Sequence, residues 1–88
     1  MIIKSALTEL RKLLHEANES ISIDYLVSSG ETYWLEKHGA YKSAYWHGVR
    51  YYFYEWLSET RSTAEAKRII NSPEMGTVIG EYIERMLD

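Results

Sequence analysis

The stretch from Ala40 to Thr60 constrains the fold more than any other part of the chain. Apolar residues and small residues recur in pairs at 40/41, 44/45, 48/49, 52/53 and 56/57. Tyrosine, tryptophan and valine favour strands, yet this spacing is helical, and tertiary packing overrides intrinsic propensity. On a helical wheel Tyr41, Tyr45, Gly48, Val49, Tyr52 and Trp56 form the centre of one face, widened by Trp46, Phe53 and Leu57. The apolar arc covers nearly half the circumference, more than one neighbouring element requires. The remaining side carries Ser43, His47, Arg50, Tyr51, Tyr54, Ser58 and Arg61.

The other segments supply neighbours for this helix. Ile3, Ala6, Leu7, Leu10, Leu13, Leu14 and Ala17 fall on one side of a helix at about 100° per residue. Ser62-Thr63-Ala64-Glu65 has the form of a capping box, in which Ser62 and Glu65 satisfy each other's free backbone donors. Ser72-Pro73-Glu74 starts the last helix with a cap, a proline and an acid in the first turn. Its apolar face is Met75, Val78, Ile79, Tyr82, Ile83 and Met86, with Gly76 and Gly80 at the edge. Those glycines read equally well as a close-approach strip for another helix and as tolerated surface positions.

Between the first helix and the aromatic one the pattern changes. Ser20 to Val27 alternates in its first half and is β-branched, Thr32-Tyr33-Trp34-Leu35 is strand-like, and Ser28-Ser29-Gly30-Glu31 fits a turn. The rival is a helix capped by Ser22 and broken near Gly30. The expectation is a mainly α fold with helices at 3–18, 40–60, 63–70 and 73–87 and a β-hairpin at 20–37, that is, a small α+β domain spanning 1–88; the alternative is all-α. A lone hairpin is marginal in water, so edge pairing between two protomers is one route to a homodimer.

Composition narrows the chemistry. The chain of 88 residues has no cysteine, which removes disulfides, thiolate zinc sites and cysteine nucleophiles. A small secreted domain usually carries disulfide staples, so a cytoplasmic setting is expected. The charged N-terminus has no apolar h-region, and no apolar run is long enough for a membrane span, so neither a signal peptide nor a membrane partner is expected. His15, His38 and His47 never pair at helical ligand spacing, no Gly-x-Ser-x-Gly elbow or clustered-glycine phosphate loop occurs, and no cofactor or metal is expected. Charges balance up to Ser72; beyond it Arg85 stands against Glu74, Glu81, Glu84 and Asp88, which carry the whole excess of −3.

Surfaces remain. The first expectation is a non-catalytic protein-binding module, with His47, Arg50, Tyr51, Tyr54 and Arg61 as the partner-binding set, since Arg and Tyr dominate interface hot spots. A second acidic surface, Glu74, Glu81, Glu84 and Asp88, is suited to a basic protein. By analogy of size and character alone, one version is an inhibitor of a nucleic-acid-processing or CRISPR-type defence complex of the kind phages encode. The alternatives are single-stranded nucleic-acid binding through Arg50, Tyr51 and Tyr54, which the net charge disfavours, and, last, a small enzyme or enzyme subunit using His47 and Glu55.

Overall fold

A computed structural model describes residues 2–25 and 41–87, except the side chains of 41–44 and 87. Four helices carry the described fold: α1 (Lys4–Ile21), α2 (Tyr41–Thr60), α3 (Thr63–Ile70) and α4 (Pro73–Leu87). Among the described residues there is no strand, and the chain is mainly α.

The first part of the expected hairpin is helical. Residues 20 and 21 belong to α1, which runs past the expected end at 18, and residues 23–25 are helical again. The reason is visible in the spacing. Leu10, Leu14 and Ala17 make the buried stripe of α1, and Ile21 continues it by one further turn, packing against the core. A four-residue alternation of Ser and Ile does not outweigh a stripe already anchored by three turns. Ser22 then takes a left-handed conformation, φ 50° and ψ 65°, and its N–H reaches the Asn18 carbonyl at 2.7 Å. This is a helix stop of the kind usually built with glycine. The reversal turns Ile23 inward, where it is fully buried. The remainder of the expected hairpin lies outside the described residues.

The three later helices begin and end within a residue of their expected limits. Ser62 caps α3 by accepting the Glu65 N–H at 3.1 Å. The reciprocal half of the capping box is absent, because the Glu65 carboxylate goes to Arg61 at 3.0 Å and Arg68 at 3.6 Å. Ser72 turns its hydroxyl back to the Ile69 carbonyl at 2.8 Å, while its own carbonyl accepts the Met75 N–H at 3.2 Å.

Helix α2 touches all three others. Val49, Phe53 and Leu57 are fully buried on it and Tyr45 nearly so; Tyr52 and Trp56, expected at the centre of the apolar face, are only half-buried. The buried stripe is thus rotated from the one the wheel suggests. The cause is α3, which folds back along α2: Arg61 at the end of α2 meets Glu65 early in α3, and Arg50 reaches Asn71 just beyond it. Ala66, Ile69 and Ile70 of α3 and Met75, Val78, Ile79 and Ile83 of α4 complete the core with α1.

Ties between α1 and α4 ascend together along both helices. The Ile3 N–H donates to Glu74, Arg11 pairs with Glu81, and Tyr82 bonds to Asn18. The first and last helices therefore lie side by side and run parallel. Gly76 and Gly80 take no part in close packing: a methyl group at either would meet nothing within 4 Å. Replacing Gly76 by alanine should raise stability by about 1 kcal/mol, through helix propensity alone. A higher denaturant midpoint with an unchanged slope is the expected readout, and a lower midpoint would show a neighbour at that face.

Candidate functional site

The five residues expected to form a partner-binding set fall on one side of α2 and just past its end, but they differ in exposure and partners. Tyr51 is 50% exposed, with its ring edge-on to that of Tyr52 at 5.3 Å. The Glu55 carboxylate one turn along pushes the Tyr51 pKa up, by hydrogen-bonding attraction first and by its charge second. Arg50 is half-buried and donates from Nη2 to Asn71 Oδ1 at 3.1 Å, tying α2 to the α3–α4 turn. Arg61 is exposed but bonded to Glu65. Tyr54 packs half-buried against the core, and the ring of His47 stands edge-on to Trp46 at 5.5 Å. Ser58, on the same side of the wheel, has a buried hydroxyl with no partner among the described residues. The flank expected to be wet is largely covered, and of the five Tyr51 is the aromatic that stands in solvent.

The acids of the last helix also separate. Glu74 is only 5% exposed and accepts the N–H of Ile3, the N-cap residue of α1, at 3.2 Å, which gives that backbone donor a partner from α4. A carboxylate in the first turn also suits the positive end of α4. Glu81 receives both prongs of the Arg11 guanidinium, at 2.9 and 2.8 Å. Glu84 is exposed, and Asp88 lies outside the described residues. Instead of a continuous acidic face, two of these carboxylates are internal ties between α1 and α4.

That pairing has a pH signature. The Arg11 guanidinium holds the Glu81 carboxyl below its ordinary range. A depressed folded-state pKa contributes stability above the unfolded value and loses it as pH falls through the folded one. Glu81→Gln should therefore remove part of the stability loss seen on acidification while changing little at neutral pH, where an exposed pair contributes modestly. Denaturant midpoints at neutral pH and in acid check this; parallel loss in both proteins would show that the pair is not linked to folding.

A groove of about 700 Å³ opens between α1 and α4. Leu14, Val78 and Met86 contribute apolar walls, and Arg11, His15, Asn18, Asp24, Tyr82 and Arg85 contribute polar ones. The Tyr82 hydroxyl lies against both Asn18 Oδ1, at 3.1 Å, and the Asp24 carboxylate. Asn18 Oδ1 also accepts the Asp24 N–H at 3.2 Å, so the proton of Tyr82 is best given to the charged Asp24. The Arg85 guanidinium lies 5.8 Å from the centre of the Tyr82 ring, and His15 pairs with Glu19 at 3.1 Å. The polar groups of the groove thus engage one another or their own helix. Asn18, Asp24 and Tyr82 carried no sequence signal, because residues 58 to 64 positions apart meet only through the fold.

Among the described residues no cluster of His, Asp and Glu is arranged to hold a metal ion, and no helix is long and apolar enough to cross a membrane. No protein-family model, curated protein or solved structure matches the chain.

Proposed function

We propose that the chain is a non-catalytic protein-binding module. The observation that carries this reading is the outer side of α2, where Tyr51 is half-exposed beside the half-buried Tyr52 and Trp56. Tyrosine and tryptophan are enriched at interfaces because they contribute large, rigid contact area with a polar tip. In the finer form of the proposal the partner is a nucleic-acid-processing or CRISPR-type defence complex that the protein inhibits. The meeting takes place in a reducing cytoplasm, which suits a small chain without cysteine. A homodimer is the competing form of the same reading.

The test is size-exclusion chromatography with light scattering, on the purified chain and again after mixing with lysate of the host cells in which its gene is expressed. A shift to a larger species whose second component is identified by mass spectrometry is the expected result, and a mass of twice the monomer before mixing would identify the dimer. A strict monomer that gains nothing from the lysate would end the proposal.

A further inference from the structure

Resting on the protein-binding reading, we infer that α2 docks through Tyr51, Tyr52, Glu55, Trp56 and Glu59 against a protein surface rich in arginine and lysine. These residues lie one turn apart in two rows, 51/55/59 and 52/56, so they share one side of the helix. Glu55 and Glu59 are both exposed. Elsewhere Glu65 and Glu81 have cationic partners and Glu19 lies against His15, but no ion pair engages Glu55 or Glu59 among the described residues. Like charges one turn apart on a helix repel, and a cation placed between them relieves that. The flanking rings extend the match, since guanidinium and ammonium groups are attracted to the faces of tyrosine and tryptophan.

The same charges argue against other occupants. Two-fold pairing of this face with its copy sets like patch against like, bringing the acids of one protomer towards those of the other. A phosphate backbone meets two carboxylates where it needs cations. A basic protein surface alone satisfies both the acids and the rings.

The experiment places photoreactive p-benzoylphenylalanine at position 51 of the full chain and irradiates it in lysate of the host cells in which its gene is expressed. Cross-linked peptides are then sequenced by mass spectrometry. The expected product is a protein segment rich in Arg and Lys. Its yield should fall at least tenfold in the double variant Glu55→Lys/Glu59→Lys, fall less with Glu55→Gln/Glu59→Gln, and drop as salt is raised. Circular dichroism checks that the variants remain helical. Cross-linking to a neutral or acidic segment, to a second copy or to nucleic acid overturns the inference, as does a yield indifferent to charge reversal. No cross-link while the chromatographic complex persists overturns this face and leaves the protein-binding reading standing; loss of both results ends both.

Discussion

Phe53→Ala should lower the stability of the folded chain by about 3–5 kcal/mol, the range for truncating a large buried aromatic. The ring is fully buried and lies nearly parallel to Trp56, with 6.2 Å between centres. It also sits on the helix that touches all three other described helices, so the void opens among several elements and no single side chain can relax to fill it. A domain of this kind has roughly 5–15 kcal/mol in total, so the variant should melt far below the parent, by more than about 10 °C. Trp56→Ala is the informative control. It removes a larger side chain, but one that is half-buried, so its cost should be smaller. Chemical denaturation followed by far-ultraviolet circular dichroism ranks the two, and a costlier Trp56→Ala would mean that α2 is rotated from the orientation described.

Tyr82→Ala comes next, also at about 3–5 kcal/mol, and it can be divided into parts. The ring is 7% exposed and belongs to the core, while the hydroxyl joins Asn18 and Asp24. Tyr82→Phe keeps the ring and removes the hydroxyl, and should cost about 1–2 kcal/mol, since hydrogen bonds to charged groups contribute more than neutral ones. The phenylalanine variant should also speed hydrogen exchange at the Asp24 amide, whose partner Asn18 loses its second contact. Equal destabilisation by Phe and Ala would place the whole effect in the hydroxyl; no effect from Phe would show that the contact contributes nothing.

The helices after residue 40 were legible because local chemistry marked them: a four-residue recurrence of apolar pairs for α2, Ser62 before α3, and Ser72-Pro73-Glu74 before α4. The α1 stripe was legible too, but its last turn was hidden because Ser20 and Ser22 flank Ile21 and imitate a strand. A wheel drawn for α2 alone could not anticipate that α3 would fold back on the side carrying Arg50 and Tyr54. It therefore placed Tyr52 and Trp56 at the centre of the buried face, where Phe53 and Leu57 belong. The acids of the last helix misled for a related reason. Counting charge along the chain gives their sign, but Arg11 and the Ile3 amide reach Glu81 and Glu74 from about seventy positions away. The stripe of Tyr51, Glu55 and Glu59 was written in the spacing all along, and became visible once the neighbouring flank proved to be covered.

The parallel pairing of α1 with α4 has a consequence for biogenesis. Helix α1 leaves the ribosome well before its lateral partner α4, and the ties between them span 64 to 71 positions. Contacts so distant in sequence slow folding, because a large loop closes before they form. Until α4 emerges, Leu10, Leu14 and Ala17 lack that helix to cover them. A nascent chain stalled before residue 73 should therefore be protease-sensitive along its first helix, and it would offer chaperones an apolar stripe that the finished protein hides.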